Sequence, residues 1–387
     1  MTERIYLDHQ STTPVDPRVI EAMLPFLSAR FGNPHSAHSF GWEAEKPVVS
    51  AQKAVSQLIG ADPGEIVFTS GATEANNLAL QGVARTMGDR RGHILISSIE
   101  HKCILNTAEW LRTQGFDIEF VKVDGEGRVC PADVRKLIRC DTILVSIMMA
   151  NNEVGTIQPV TDIGAICRER GVLFHTDAAQ AVGKIPVDIF DMNIDLLSLS
   201  AHKFFGPMGI GALFISTECT DRIAPIMLGG AQQGGKRAGT VPSFLCAGLG
   251  AAAEIAEAEM ASNARTVVEL EQKFLTALGD AEIEFSVNSP FLNKIPGHLN
   301  IHFSKMDAEE LINRTSGQLS FSTGSACNQG IIEKSYVLEA MNFRGDHIDR
   351  SARFGISHLN TEEDIVSAVK IISGASAAVG AMLQTSA

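Results

Sequence analysis

The chain has 387 residues, of which 45% are hydrophobic and 20% are charged, and its formal net charge is −13. This composition excludes a disordered or low-complexity chain, and the acidic balance argues against direct nucleic-acid binding because phosphate backbones repel it. No run of about 18 apolar residues occurs, and the N-terminus lacks the basic and apolar parts of a secretory signal, so we expect neither a membrane span nor export.

The cysteines indicate a reducing compartment. Their number is odd, their spacing is wide and no Cys-x-x-Cys pair occurs, which argues against a disulfide framework and against a structural zinc site. The seven are Cys103, Cys130, Cys140, Cys167, Cys219, Cys246 and Cys327. We therefore expect a cytoplasmic protein that binds no metal and keeps most of its thiols as inert core residues.

Strand-like and helix-like segments alternate through the first part of the chain. Short runs rich in β-branched and other apolar residues predict strands at 65–70, 93–97, 118–123, 142–148, 172–175, 195–200 and 210–215. Helices are predicted to open at residue 71 and to cover 163–170. This alternation predicts an α/β fold in which helices cover both faces of a mainly parallel sheet.

The pattern changes after a long predicted helix at 243–278, which Gly279 and Asp280 follow as a stop signal. A short strand at 298–303 and helices at 307–313 and 361–373 indicate a second, smaller α+β domain. The predicted division is a large domain over residues 15–258 and a small domain made of residues 1–14 and 259–387.

A lysine lies at the end of one predicted strand. Apolar and polar residues alternate up to Ser200, and His202 and Lys203 follow beside Phe204 and Phe205. A lysine next to apolar side chains is partly desolvated, which lowers its pKa and favours the neutral amine that attacks aldehydes. The alternative is an ordinary surface lysine in a loop.

Two other segments carry residues for the same kind of site. Asp177 follows a buried strand, at the sheet edge where open α/β sheets bind ligands; the alternative is a helix N-cap. The Gly-rich turn at 69–75 leads into a helix and suits one phosphate, although Thr73 and Glu74 also fit an ordinary helix start. Neither a dinucleotide fingerprint nor a Walker loop occurs.

A pyridoxal 5′-phosphate site has three parts: a turn that holds the phosphate, an acid that pairs with the ring nitrogen, and a lysine that bonds to the aldehyde. The three segments supply these parts in the same order. From residue 6 to about 365 the sequence resembles the class V aminotransferases and, within them, the cysteine desulfurases. The stretches that carry the resemblance are 32–36, 98–101, 151–156, 237–240, 322–327 and 335–338. The resemblance implies fold type I of the pyridoxal phosphate-dependent transferases, with a large mainly parallel mixed sheet and a smaller α+β domain.

The resemblance implies a cofactor role for each matching residue. Lys203 would bond to the cofactor aldehyde, Asp177 would keep the pyridine nitrogen protonated, and Gln180 would hydrogen-bond the phenolic oxygen. His101 would stack on the ring and relay protons. The residues implied to hold the phosphate are Ala72, Thr73, Ser200, His202 and, in the site of the partner subunit, Thr240. This last assignment implies a homodimer.

Substrate binding and sulfur transfer are implied in the same way. Asn33, Asn152 and Arg353 would bind the substrate, since the planar fork of an arginine suits a carboxylate; otherwise Arg353 is a surface ion-pair residue. Cys327 lies in a segment of small residues with little to bury, which suits an exposed nucleophilic thiol. Cys103 has no role in the family pattern.

The implied activity converts L-cysteine to L-alanine and leaves the sulfur as a persulfide on Cys327. A protein acceptor or scaffold would then receive it for iron–sulfur assembly, tRNA thiolation or DNA phosphorothioation. Departures from the family pattern at residues 9–11, 234 and 355–357 leave that acceptor open. The alternatives are a selenocysteine lyase, another class V enzyme such as an aminotransferase, or a non-catalytic redox sensor.

Overall fold

A computed structural model describes residues 4–324 and 334–385, with 377–385 described by their backbone alone. The strands are β1 (Ile5–Tyr6), β2 (Ile66–Thr69), β3 (His93–Ser97), β4 (Asp117–Val121), β5 (Thr142–Ser146), β6 (Leu173–Asp177), β7 (Leu196–Ser200), β8 (Gly211–Ile215), β9 (Phe285–Val287), β10 (His298–Phe303), β11 (Leu319–Ser320) and β12 (Ser351–Gly355). The helices are α1 (Pro17–Leu27), α2 (Ser39–Ile59), α3 (Ala72–Thr86), α4 (Lys102–Thr113), α5 (Pro131–Leu137), α6 (Val160–Arg170), α7 (Ser243–Asp280), α8 (Ala308–Thr315), α9 (Tyr336–Ala340), α10 (Asp346–Asp349) and α11 (Glu362–Thr385).

Seven strands form the main sheet in the spatial order β2-β8-β7-β6-β5-β3-β4. All neighbouring pairs are parallel except those of β8, which runs antiparallel to both β2 and β7. The mainly parallel mixed sheet predicted from the sequence is therefore confirmed. Because strands that run the same way end at the same edge, the carboxyl ends of β2, β3, β5, β6 and β7 meet on one side of the sheet.

Each face of the sheet is buried in its own hydrophobic cluster. Along β3, Leu95 packs into the cluster beneath α2, α6 and α7, whereas Ile94 and Ile96 pack into the cluster beneath α3 and α4. Successive side chains of a strand point to opposite faces, so a strand covered on both sides must be apolar throughout. This requirement explains the continuous apolar runs at the centres of β3 and β5, whereas β7 keeps its alternating Ser198 and Ser200 as buried polar residues.

Two smaller sheets are formed mainly by the C-terminal strands, together with β1 from the N-terminus. Strands β9, β10 and β12 form an antiparallel sheet, and β1 pairs in parallel with β11. Ile5 and Leu7 pack with Leu270 and Phe274 of α7 in the hydrophobic cluster of this region. The N-terminal segment thus packs with the C-terminal part, while the division at residues 14 and 258 stays a prediction.

No helix in the described part of the chain combines the length and the apolar character that crossing a bilayer requires.

Candidate active site

A cavity of about 610 Å³ opens at the edge where the parallel strands end. The segments that follow β2, β3, β5, β6 and β7 supply most of its wall, and Arg353 of β12 supplies part of the rest. The predicted site residues that line it are Ala72, Thr73, His101, Asn152, Asp177, Gln180, Ser200, His202, Lys203 and Arg353. Residues spread over nearly 300 positions of sequence therefore share one site.

The turn between β2 and α3 forms one wall of the cavity. Gly71 is the N-cap of α3 and has a φ of 149°, a backbone conformation that residues with a Cβ rarely adopt. Gly211 of β8 packs directly against it: a Cβ on Gly211 would lie 2.8 Å from the Cα of Gly71. The unpaired N–H groups at the start of α3 and the hydroxyls of Thr73 and Ser200 suit a phosphate.

Lys203 ends a single 3₁₀ turn that follows β7. Its Nζ donates hydrogen bonds to the main-chain oxygens of Gln10 at 2.7 Å and Ser11 at 2.8 Å. Burial, followed by the charges of Lys203 and Lys184, lowers the pKa of the neighbouring His202 to about 4. A neutral His202 is able to offer a hydrogen bond to an anion in the cavity.

Asp177 is the last residue of β6, so it belongs to the strand that the sequence analysis had ended at residue 175. The carboxylate is 5% exposed and accepts hydrogen bonds from the backbone N–H of Ala179 at 2.9 Å and from Nδ2 of Asn76 at 2.7 Å. The alternative of a helix N-cap is wrong, since residues 178–184 form turns. Asn76, which donates to this carboxylate, is itself fully buried.

His101 is the N-cap of α4, and its hydrogen bonds determine its tautomer. Its Nδ1 accepts from the backbone N–H of Cys103 at 3.2 Å and lies 3.0 Å from Sγ of the same residue. Burial raises the pKa of the Cys103 thiol to about 12, so the S–H group is a donor at neutral pH. With donors on Nδ1, and with burial lowering its pKa, neutral His101 carries its proton on Nε2.

Arg353 is buried at 5% exposure and is not a surface ion-pair residue. Its Nη2 donates to Oδ1 of Asp8 at 2.9 Å and to Oγ of Ser11, and its Nη1 donates to the main-chain oxygen of Asn152 at 3.2 Å. Within the described residues, Nε of Arg353 and Oδ1 of Asn152 are buried without hydrogen-bond partners. Unsatisfied buried groups on two adjacent side chains are typical of a ligand-binding wall.

Two predicted site residues do not line this cavity in a single chain. Asn33 and Thr240 are exposed and are absent from the lining, and Asn33 accepts a local hydrogen bond from the backbone N–H of His35 at 3.0 Å. Cys327 lies outside the described residues. Gly324, three positions before it, is part of the cavity wall.

A family model described as aminotransferase class V matches residues 5–367. The chain belongs to the class V aminotransferase family. A cysteine desulfurase IscS of Rickettsia akari is 45% identical over 96% of this chain and 91% of its own length. Among solved structures, a NifS-like protein has a TM-score of 0.90 at 36% identity, covering 96% of this chain and 99% of its own. A structure titled SspA in complex with cysteine has a TM-score of 0.82 at 37% identity, covering 92% and 100%.

Class V aminotransferases and cysteine desulfurases use pyridoxal 5′-phosphate, and the described residues fit it. The cavity of about 610 Å³ holds a phosphate cradle at one wall, a buried carboxylate in Asp177 and an amine in Lys203. Buried Oε1 of Gln10 and Oδ1 of Asn152 have no partners in the described part of the chain, so they remain available to a bound molecule. This class V site therefore has a donor or acceptor for each end of the cofactor.

Several residues of this wall were not found from the sequence. Gln10 and Ser11 act through main-chain oxygens, which every residue has, so no sequence pattern distinguishes them. Asn76 lies one turn into α3 and faces the sheet, where the helical period predicts an apolar residue. Its polar side chain at a core position was the one available signal.

Proposed function

We propose that this chain is a pyridoxal phosphate-dependent cysteine desulfurase, which converts L-cysteine to L-alanine and retains the sulfur as a persulfide on Cys327. The observation that carries the proposal is the shared cavity: Lys203, Asp177 and Arg353 line it, and the chain enters the Cys327 segment from its wall at Gly324. The 45% identity to a cysteine desulfurase over nearly the whole chain supports the same activity. The cysteine named with the SspA structure supports the choice of substrate.

In the proposed reaction, different side chains of the cavity hold the cofactor, bind the substrate and move protons. Bound pyridoxal phosphate supplies an aldehyde that bonds to amines and a ring that accepts electron density. Asp177 is placed to hold a proton on the ring nitrogen, because a buried carboxylate favours a cation beside it. Arg353 and Asn152 bind the substrate carboxylate, and Lys203 moves the proton at the α-carbon.

The sulfur step needs a thiolate. When Sγ of Cys327 attacks the substrate sulfur, the carbon–sulfur bond of cysteine breaks and a sulfur–sulfur bond forms. The carbon that loses sulfur gains a proton and leaves as the methyl group of alanine, so one thiol and one cysteine give one persulfide and one alanine. His101 is the nearby group proposed to relay this proton: with its own proton on Nε2, it can pass that proton on and take the Cys327 proton in its place.

The test measures alanine formed from L-cysteine by the cofactor-loaded protein in the presence of a thiol reductant. We expect Cys327→Ser to keep the visible absorption of the cofactor but to lose sustained alanine formation by at least about a hundredfold, because a hydroxyl cannot hold the sulfur. Cys130→Ser, which changes an exposed free cysteine, is the matched control and keeps the wild-type rate. Full turnover in Cys327→Ser would remove that thiol from the reaction.

The proposal also covers the sulfur donor, which is L-cysteine, and the sulfur acceptor, which is a protein. Equal or faster turnover of L-selenocysteine in the same assay would favour the selenocysteine lyase alternative. A protein acceptor or scaffold takes the persulfide in a reducing compartment such as the cytoplasm, in keeping with the free cysteines of the described residues.

We also propose a homodimer in which Thr240 completes the site of the partner subunit. Thr240 is exposed on its own chain, and its segment is fixed to α3 by an ion pair between Nε of Arg237 and Oε1 of Glu74 at 2.8 Å. Gln233 of the same segment exchanges two hydrogen bonds with the backbone of Phe68, at 2.6 and 2.9 Å. A rigid segment with an exposed polar end supports a role across an interface.

A further inference from the structure

Lys184 lies one turn beyond Gln180 and is not part of the lining of the cofactor cavity. Its Nζ donates a hydrogen bond to Oε1 of Gln180 at 3.0 Å and lies 3.4 Å from Nε2 of His298. His298 belongs to β10, so the amine sits where the small sheet packs against the turn after β6. No ion pair of Lys184 occurs among the described residues, and an unpaired ammonium in such a place is costly to bury.

The partners of Gln180 determine which way its amide points. An ammonium group only donates, so the atom of Gln180 that meets Lys184 must be the oxygen. The main-chain oxygen of Gln10 only accepts, so the atom that meets it at 3.0 Å must be the nitrogen. The contact with Gln10 excludes the flipped amide, the contact with Lys184 reinforces that orientation whenever the amine is charged, and Nε2 keeps one N–H group for a further acceptor.

The charged groups that shift the pKa of Lys184 are cations. Burial, then the charges of Lys203 and Arg353, lower its pKa to about 7. His298 has a pKa well below its usual value, mainly through burial, and accepts as a neutral ring. His9 and His202, whose pKa values fall to about 4, also feel the charge of Lys184. The side chain borders a cavity of about 70 Å³ between the two parts of the molecule, which leaves it room to move.

We propose that Lys184 is a positioning residue that acts through Gln180, fixing its amide so that the remaining N–H group of Nε2 meets the phenolic oxygen of bound pyridoxal phosphate. The inference rests on the proposed function, because it needs the cofactor in the cavity with its phenolic oxygen beside Gln180. Lys184 itself touches neither cofactor nor substrate, and its contribution is the orientation of one amide.

The experiment is a double-mutant cycle on Lys184→Met and Gln180→Ala, with two readouts on the purified protein. One is the dissociation constant of pyridoxal phosphate for the cofactor-free protein, and the other is the pH midpoint of the visible absorption of the bound cofactor. In Lys184→Met we expect affinity to fall about tenfold and the midpoint to rise by about one pH unit, because an amide held only through the main-chain oxygen of Gln10 is less firmly oriented and stabilises the ionised oxygen less. In the Gln180→Ala background the same change at Lys184 adds nothing.

Two further variants separate positioning from general structure. Lys184→Arg still offers a donor-only group to Oε1, so both readouts stay near those of the wild type. Lys294→Met removes another half-buried lysine. The Nζ of Lys294 lies 2.6 Å from Oε1 of Glu271, and the residue does not line the cofactor cavity. This control loses thermal stability and keeps the wild-type midpoint. Lys184→Ala replaces the methionine variant in the cycle if that variant does not fold.

Two results would overturn the inference. A midpoint shift that persists in the Gln180→Ala background would mean that Lys184 acts by its charge and not through the amide. Loss of stability alone, as in Lys294→Met, would make Lys184 a structural residue. If the wild-type protein bound the cofactor but formed no alanine, the proposed function would be contradicted. The double-mutant cycle would still test the amide orientation, because both of its readouts depend on cofactor binding and not on turnover.

Discussion

His101 faces the cavity with a ring whose tautomer is set by its own helix. The backbone N–H and the thiol of Cys103 both approach Nδ1, while Nδ2 of Asn76 approaches Sγ at 3.2 Å and Oδ2 of Asp177 at 2.7 Å. A run of donors thus leads from Asn76 through the thiol to the imidazole. Because each group donates in one direction, the ring enters the reaction neutral, with Nδ1 accepting from Cys103 and the proton on Nε2.

Replacing the thiol tests that arrangement. In Cys103→Ala the imidazole loses a donor on Nδ1 and some of its burial, and both changes favour the protonated ring, so the pKa of His101 rises. We expect the acidic limb of the pH–rate profile of alanine formation to move up by about half to one pH unit. Cys103→Ser keeps a donor and moves the limb less. Identical profiles for the two variants would contradict a role for the donor.

At this scale the sequence predicted the residues that do chemistry but not those that hold them. Lys203 and Asp177 are recognisable because charged side chains at or just beyond the ends of buried strands are unusual, whereas Arg353, in the middle of β12, was identified through the family resemblance. Gln10 and Ser11 contribute main-chain oxygens, and Lys184 contributes a contact to one amide, so no pattern in the sequence marks them.

The connection between β3 and α4 carries a second buried acid, Glu100. Its Oε1 accepts hydrogen bonds from Oγ of Ser97 at 2.6 Å and from the backbone N–H of Met148 at 2.7 Å, and its main-chain oxygen accepts from the hydroxyl of Tyr336 at 2.8 Å. Burial raises the pKa of this carboxyl to about 8. Glu100 therefore joins the end of β3 to the segment after β5 through a carboxyl group that is protonated at neutral pH, and it binds α9 through its main-chain oxygen.

This raised pKa makes stability depend on pH. Between the usual value of 4.5 and about 8, the native state keeps a proton that the unfolded chain has lost, so the free energy of unfolding falls as pH rises. Glu100→Gln removes that dependence, and we expect it to gain on the order of 1–3 kcal/mol relative to wild type between pH 5 and pH 8 in denaturant titrations. Glu257→Gln, on the exposed side of α7, follows the wild-type curve. Parallel curves for Glu100→Gln and wild type would show that Glu100 ionises normally.

Strands and helices could be predicted from the sequence where burial alone determines which residues they contain. The strands of the main sheet are short, apolar runs, and α7 has a long apolar period, so both were found within a few residues of their bounds. Helices α1 and α2 were not predicted, because Pro25 and Pro47 lie inside them, and proline within a run ordinarily indicates a helix end. Packing overrides this preference: α2 lies so close to α7 that a Cβ on Gly250 would be 3.0 Å from the Cα of Ala51.

In the single chain, one region of the molecular surface is apolar and exposed to solvent. Leu24, Leu27, Phe31, Phe40 and Trp42, on α1 and α2 and between them, are each more than half exposed. Exposed apolar side chains grouped in this way mark an association surface in soluble proteins. Together with the exposed positions of Asn33 and Thr240, this region supports the proposed dimer with a site built from two chains.

Mixing two inactive variants tests the shared site. Lys203→Ala removes the amine of a chain's own site, and Thr240→Arg places a bulky cation where the partner's phosphate would bind. In a mixed dimer one site carries both defects and the other carries neither, so co-refolding equal amounts restores activity to about a quarter of wild type, because about half of the dimers are mixed. Each variant refolded alone stays inactive. A mixture with no more activity than its parts, in a sample that light scattering identifies as dimeric, would mean that Thr240 serves its own chain.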